Sequence, residues 1–258
     1  MHVDKHGKES NMNIAIILAG GTGTRLGADI PKQYIQVNGK MILTYVISAC
    51  LQAAEIDGIR IVCADMWRSD IEVDARKHVS EADWQRKFAG YSEPGDNRQL
   101  SILHALEDIE TDIAAVHVAA DTVHVMICDA ARPHLTGQMI RNCFTTLPGH
   151  DGVMPVLPMK DTIYRSADGK VISGTLRREE LFAGQAPEVF AYAPYYEACK
   201  ALLPEKIYAI NGSSEPAILA GMQIAMIPGD ENNYKVTTQG DLERFREENG
   251  IEDANKTP

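Results

Sequence analysis

A glycine-rich turn with two cations beyond it is the first place in this chain where chemistry could occur. The apolar run Ile14-Ala-Ile-Ile-Leu18 breaks into Ala19-Gly20-Gly21-Thr-Gly23-Thr-Arg25-Leu-Gly27, and Pro31-Lys32-Gln33-Tyr34 follows. So few side chains let backbone N–H groups approach anionic oxygens closely, and Arg25 and Lys32 add fixed positive charge, which suits a polyphosphate. A buried strand ending in a structural glycine turn would look similar. Two common nucleotide patterns fail on spacing. The dinucleotide pattern G-x-G-x-x-G begins at Gly21 and Gly23 but meets Leu26 where its third glycine belongs. The P-loop pattern needs its lysine directly after a glycine, whereas Lys32 follows Gly23 by nine residues and sits behind a proline.

Four further clusters carry reactive residue types. Gly95-Asp96-Asn97-Arg98-Gln99-Leu100-Ser101 sets a turn, a carboxylate and a hydroxyl ahead of a helix. It reads as an ordinary helix N-terminus or as a reader of a nucleobase edge. Cys128-Asp129-Ala130-Ala131-Arg132-Pro133 follows an apolar run, and an acid at the carboxyl end of a central parallel strand lies where open α/β sheets bind ligands. Asp129 suits a divalent cation or a substrate hydroxyl, or else an ion pair with Arg132 in the turn. Arg132 itself would complement a phosphate. Arg177-Arg178 has the look of a solvated pair, and Lys235, in Asn233-Tyr-Lys-Val-Thr, that of a surface lysine unless other cations join it.

The elements that must position these residues alternate along the chain. Ile14 to Leu18, Ile59 to Cys63, Val123 to Cys128 and Gly152 to Leu157 are short β-branched runs that predict buried parallel strands. Met41 to Ala54, Gln99 to Ile109 and Thr136 to Leu147 carry helical periodicity between them, so the class is a doubly wound α/β sheet. From Lys160 to Gly174 the rhythm breaks into two short strands joined at Asp168-Gly169, a projecting hairpin arm over about 158–176. An isolated hairpin is only marginally stable, so a second subunit is expected against it. Residues 1–12 read as a disordered polar arm, 13–248 as one domain ending in a charged helix from Thr238 to Glu248, and 249–258 as a tail.

Composition bounds the function. A chain of 258 residues can bury a sizeable core in one large domain. The formal net charge of −11 argues against a nucleic-acid or membrane-surface binder, so any anion-binding cations must be locally concentrated. Five widely spaced cysteines, an odd number, read as reduced core residues. No segment approaches the length of a membrane span and the first twelve residues do not resemble a signal peptide, so the expected location is the cytoplasm.

Taken in order, the glycine loop, Pro31-Lys-Gln-Tyr, Gly95-Asp-x-Arg-x-x-Ser, Asp129-Ala-Ala-Arg-Pro, Asp161-Thr-Ile and Tyr234-Lys-Val-Thr resemble the cytidylyltransferases that activate polyol phosphates. These comprise the methylerythritol-phosphate enzymes of isoprenoid synthesis and the ribitol-5-phosphate enzymes of cell-surface polymers. The resemblance runs from about Asn13 to Phe245. It implies a Rossmann-like nucleotidyltransferase fold with a mostly parallel sheet, CTP as substrate, Mg²⁺, and a homodimer whose hairpin arms cross into the partner. By the same resemblance Ala19, Gly20, Gly21 and Gly23 border the nucleotide, and Arg25, Lys32 and Lys235 act on its phosphates as electrostatic catalysts. Gly95, Asp96 and Ser101 read cytosine and its sugar, Arg132, Thr162 and Arg178 hold the second substrate's phosphate, and Asp129 meets the metal.

The sequence departs from the resembled pattern at two points. Gln185-Ala186-Pro187-Glu188 stands where the family has Gln-Thr-Pro-Gln, and Asn211-Gly-Ser213-Ser214-Glu-Pro lacks the family's Thr-Asp pair. The form of the glycine loop and the length between Ser101 and Asp129 lean toward ribitol 5-phosphate or a related alditol phosphate as acceptor, while Asp129-Ala-Ala-Arg-Pro matches the isoprenoid branch, methylerythritol 4-phosphate being the alternative. Sugar-1-phosphate nucleotidyltransferases space the arginine and the Pro-Lys pair more widely. A non-catalytic nucleotide-binding protein would lack a phosphate-binding cation, and here Arg25, Lys32 and Lys235 are all present.

Overall fold

A computed structural model describes residues 11–21 and 30–250 of the chain. The strands in chain order are β1 (Met12–Leu18), β2 (Gln36–Val37), β3 (Lys40–Met41), β4 (Gly58–Val62), β5 (Phe88–Ser92), β6 (Val123–Asp129), β7 (Gly152–Pro158), β8 (Tyr164–Arg165), β9 (Gly174–Thr175), β10 (Phe182–Gly184), β11 (Glu188–Ala191) and β12 (Ile224–Pro228). The helices are α1 (Ile42–Gln52), α2 (Arg68–His78), α3 (Glu81–Lys87), α4 (Arg98–Ala115), α5 (Gly137–Thr146), α6 (Tyr192–Lys200), α7 (Glu215–Leu219) and α8 (Gln239–Glu248).

One sheet organises the molecule, in the order β10-β7-β11-β6-β1-β4-β5, with β12 on β7. The central strands β1, β4, β5 and β6 run parallel to one another. Residues 14–17 of β1 are at most 3% exposed, because alternating side chains feed two opposite layers. Ala15 and Ile17 pack in the layer of α1, α2, α3 and α5, whereas Ile14 and Ile16 pack in the layer of α4, α6 and α7. A third, smaller cluster ties α8 to the chain around β2 through Phe245, Leu242, Val236, Val37 and Ile35. All five cysteines are free and buried, and among the described residues no helix is long and apolar enough to cross a membrane.

Gly152 to Leu157 departs from the expected parallel pairing. It lies in β7, which runs antiparallel to β11 and β10 and parallel only to β12, because β11 inserts between it and β6. Beyond β7, the short strands β8 and β9 pair antiparallel across the Asp168-Gly169 turn, where Gly169 has φ +70° and Asp168 accepts from the Lys170 and Val171 amides. This arm leaves Tyr164, Val171, Ile172 and Leu176 exposed. The length between Ser101 and Asp129 is taken up by α4, which runs on to Ala115, and by a short helical turn at Ala120–Thr122. The far end of α4 and this turn come just before β6 begins, about 20 Å of strand away from Asp129 at its other end.

Candidate active site

The carboxyl ends of β1 and β6, the start of α4 and the segment around Lys235 enclose a cavity of about 470 Å³. This is where parallel strands deliver residues in an open α/β sheet. Leu18, Gly20, Gly21, Lys32, Gly95, Asp96, Ser101, Asp129 and Lys235 line it, together with Gln33 and Arg98, to which sequence reasoning gave no role. Arg25 and Gly23 lie outside the described residues.

The start of the glycine loop is held from below. Ala19 continues β1 by donating its N–H to Val62 at 2.8 Å. Gln33, 3% exposed, donates from one amide nitrogen to the Ala19 carbonyl at 2.6 Å and the Gly21 carbonyl at 2.7 Å. Tyr34 donates its hydroxyl to the same Ala19 carbonyl at 2.8 Å, and Trp67 stacks on its ring at 4.2 Å. Both carbonyl dipoles are therefore occupied and do not confront an incoming anion. Gly20 is required by close approach, since a Cβ there would lie 2.5 Å from Pro94 Cβ.

The Gly95 turn is both a helix start and a cavity wall. A Cβ at Gly95 would lie 2.3 Å from Leu100 Cβ. Asn97 caps α4 by accepting from the Leu100 amide at 2.8 Å. Ser101 accepts from the Gly95 N–H at 3.0 Å and donates to the Asn97 carbonyl at 2.9 Å, so its hydroxyl first of all closes the turn. The 18-residue helix thereby aims its positive end at the cavity.

Asp129, 7% exposed, ends β6 among three cations. Arg98 donates to Oδ1 at 2.5 Å, while Lys235 Nζ and Arg132 Nε approach Oδ2 at 3.0 and 3.2 Å. Burial alone would raise this carboxyl, but Arg98, Lys235 and Arg132 together hold it well below the usual carboxylate range. Arg132, expected on a substrate phosphate, does not line the cavity. Besides its bond to Asp129 it donates to the Asn233 carbonyl at 2.6 Å, and the Val236 N–H donates to the Ala131 carbonyl at 2.8 Å, so Arg132 clips the Lys235 segment to the end of β6. Among the described residues no group of three or more His, Cys, Asp or Glu side chains could hold a metal ion. A carboxylate offers about four lone-pair positions, so with three donors on it Asp129 could serve a Mg²⁺ ion as one ligand at most.

The remaining expected residues are elsewhere. Thr162 on the arm and Arg178 just past it are exposed, Arg178 donates to the Lys160 carbonyl at 2.9 Å, and neither lines this chain's cavity. Ala186 and Glu188, the departures from the resembled pattern, do not line it either. Ala186 is buried and its carbonyl accepts from Asn233 at 2.8 Å. Glu188, 8% exposed, lies behind Arg98 and accepts from the Ser213 hydroxyl at 2.5 Å. Burial pushes its carboxyl up, against the pull of Ser213 and Arg98. Arg98 carried a legible hint: it opens α4, where a cation opposes the helix dipole unless an acid faces it.

Comparison with known proteins gives a consistent picture. The family model for IspD, 2-C-methyl-D-erythritol 4-phosphate cytidylyltransferase, matches residues 13–246. The chain is 32% identical over 235 residues to the 2-C-methyl-D-erythritol 4-phosphate cytidylyltransferase of Neorickettsia sennetsu, covering 88% of this chain and 92% of that protein. It is 34% identical over 229 residues to the bifunctional enzyme IspD/IspF of Novosphingobium aromaticivorans, spanning 89% of this chain but only 54% of that longer protein. Among solved structures, the 4-diphosphocytidyl-2C-methyl-D-erythritol synthase of Anaerococcus prevotii superposes with a TM-score of 0.74 at 21% identity, covering 92% of this chain and 96% of that one, a likeness of fold.

Proposed function

The chain belongs to the 2-C-methyl-D-erythritol 4-phosphate cytidylyltransferase family and is a CTP-dependent nucleotidyltransferase, and from that premise we propose that it transfers CMP from CTP to 2-C-methyl-D-erythritol 4-phosphate, releasing pyrophosphate. The observation that carries the nucleotide half is the cavity that joins Lys32, Lys235 and Arg98 to the glycine turns at Gly20 and Gly95. For the acceptor, one of the two features that lean toward ribitol loses its force. The added length before Asp129 lies at the opposite end of β6, and Ala186 and Glu188 do not reach the cavity. The identity of the relatives favours the methylerythritol substrate.

In this reading an oxygen of the acceptor phosphate attacks the α-phosphorus of CTP in line, and the bond from that phosphorus to the bridging oxygen of pyrophosphate breaks. The nucleophile is already ionised, so no general base is needed, and positioning and charge stabilisation carry the rate. Lys32 holds the phosphate chain from the floor of the glycine loop, while Lys235 leaves Asp129 for the α-phosphate. Mg²⁺ bound to the nucleotide would offset charge on the departing pyrophosphate, with Asp129 as a protein ligand among the described residues. Thr162 and Arg178 belong, in this reading, to the cavity of a partner subunit, and the exposed apolar arm is the contact that brings them there.

The test is pyrophosphate release from CTP and Mg²⁺ with methylerythritol 4-phosphate, ribitol 5-phosphate, xylitol phosphate and glycerol 3-phosphate in parallel. Turnover with methylerythritol phosphate at least tenfold above the others is expected. A preference for ribitol phosphate would overturn the acceptor assignment, and silence across the panel would overturn the reaction.

A further inference from the structure

Behind Arg98 lies a buried carboxylate that the reaction as described does not use. Glu188 is more than nine-tenths buried and does not line the cavity, so it touches neither substrate. One of its oxygens accepts from the Ser213 hydroxyl at 2.5 Å, and the other is buried with no hydrogen-bond partner. The Ser213 oxygen in turn accepts from Arg98 at 3.3 Å, and the other guanidinium nitrogen of Arg98 reaches Asp129 at 2.5 Å. A relay thus runs from Glu188 through Ser213 and Arg98 to Asp129, and ends on the carboxylate that also holds Lys235.

The two points at which the sequence departs from the resembled pattern meet at this contact. The segment that carries Ser213 lacks the Thr-Asp pair of the resembled pattern, and Glu188, on the other side of the contact, stands where that pattern has a glutamine. The direction of each hydrogen bond explains why an acid suits this place. A serine hydroxyl has one proton to give. An acceptor at Glu188 takes that proton and turns the hydroxyl lone pairs toward Arg98, whose nitrogens are donors only. A glutamine could instead present its NH₂ group to Ser213, compete with Arg98 for the same lone pairs and leave the hydroxyl proton free to point at the guanidinium. Arg98 needs such a hold, because it opens a long helix whose dipole repels it. A buried oxygen without a partner is costly and calls for an explanation beyond packing.

We propose that Glu188 is a positioning residue of the transfer reaction, acting through the Ser213 hydroxyl to fix the Arg98 guanidinium against Asp129 and so to keep Lys235 in register with the nucleotide. The inference rests on the cytidylyl-transfer reading given above. Its effect is on geometry during transfer, not on nucleotide capture, since the glycine turns hang on other supports.

The experiment uses the full chain with Glu188→Gln, Ser213→Ala and the double variant, measuring pyrophosphate release against CTP and methylerythritol phosphate, CTP·Mg²⁺ binding by calorimetry, and the thermal midpoint. Each single variant is expected to lower kcat by about tenfold or more, within what a displacement of an ångström or less costs, while KM and affinity for CTP stay within about threefold. Because the residues act in series, the double variant should be no slower than the slower single one. Glu188→Gln is isosteric and Ser213→Ala removes a single atom, so a loss of turnover at an unchanged or higher thermal midpoint separates positioning from folding. Folded variants with kcat within threefold of the parent, or losses that multiply in the double variant, would overturn the proposal. A parent chain silent with every acceptor would instead overturn the reaction on which the proposal rests.

Discussion

Replacing Gln33 by methionine isolates what loop positioning contributes. Methionine keeps an unbranched side chain of similar length in a site only 3% exposed, and it removes the amide that serves both loop carbonyls. The Ala19 carbonyl retains the Tyr34 hydroxyl at 2.8 Å, so the Gly21 carbonyl is the group that loses its Gln33 support outright. One lost hydrogen bond at about 1 kcal/mol, together with an acceptor left poorly served at about 1–2 kcal/mol, gives roughly 2–3 kcal/mol. At 1.4 kcal/mol per tenfold, that is about 30- to 150-fold. Gly21 is exposed, so its carbonyl can turn to water when the loop relaxes, and the penalty falls on re-forming the loop around the triphosphate. The expected outcome is a KM for CTP raised by that factor, with kcat at saturating CTP changed by less than about threefold. Tyr34→Phe is the matched control. It removes a bond to a carbonyl that Gln33 still serves, and should raise KM by no more than about fivefold. Initial rates of pyrophosphate release over a CTP series, with calorimetric CTP binding beside them, measure both quantities. A Gln33→Met protein that binds CTP like the parent, or one that loses kcat while KM stays put, would refute the reasoning.

Lys32→Ala and Lys235→Ala should each lose on the order of 10²–10³ in turnover, about 3–4 kcal/mol, as for removal of one donor to a charged transition state; steady-state rates within a few-fold of the parent would remove that lysine from the role. Co-expressed subunits carrying Lys235→Ala and Arg178→Ala should regain about one quarter of parent activity, because half of randomly formed dimers are mixed and each mixed dimer has one intact site of two. No recovery over the separate variants would mean that Arg178 serves its own chain or none. For stability, the Glu188 carboxyl titrates above its ordinary value of 4.5 in the folded chain. A group raised in this way stabilises the fold below its unfolded value and loses that contribution as pH rises through the folded one. Denaturant midpoints at about pH 4, 6 and 8 should therefore show Glu188→Gln gaining on the parent as pH rises, and a parent that gains on the variant instead would contradict the sign.

How much of this was legible in the sequence depends on whether a residue's role is local. The strands Ile14 to Leu18, Ile59 to Cys63 and Val123 to Cys128 could be read because a strand buried on both faces is apolar throughout, and their bounds differ from expectation by a residue or two. The pairing of Gly152 to Leu157 could not, because direction depends on β11 inserting beside it, a contact between segments about 35 residues apart. At the site, Lys32, Gly20, Gly95, Asp96, Ser101, Asp129 and Lys235 line one cavity. Gln33 and Arg98 escaped because their work is done on other protein groups, the loop carbonyls and Asp129, and neither partner is near in sequence. Arg132 shows the converse case. Its type and position suit a phosphate, yet two of its nitrogens are committed to Asp129 and the Asn233 carbonyl.

These placements also explain how an acidic chain can hold a polyanion. With a net charge of −11 the far field repels a triphosphate, so attraction has to come from cations gathered within a few ångströms of it. Gathering them without a counter-charge would set like charges against each other in a partly buried site. Asp129 solves that problem: its carboxyl, held ionised by its neighbours, keeps Arg98, Arg132 and Lys235 aligned. The cost of bringing the cations together is met during folding, which leaves less to be met on binding. The three are not equivalent. Arg132 is 14% exposed and Arg98 30%, each with a second anchor, whereas Lys235 is 35% exposed and reaches Asp129 on a flexible four-carbon stem. Lys235 is therefore the cation with the smallest barrier to exchanging Asp129 for a phosphate oxygen. In the proposed transfer the two arginines would stay with the carboxylate, so Asp129 would not be stranded on the departure of Lys235.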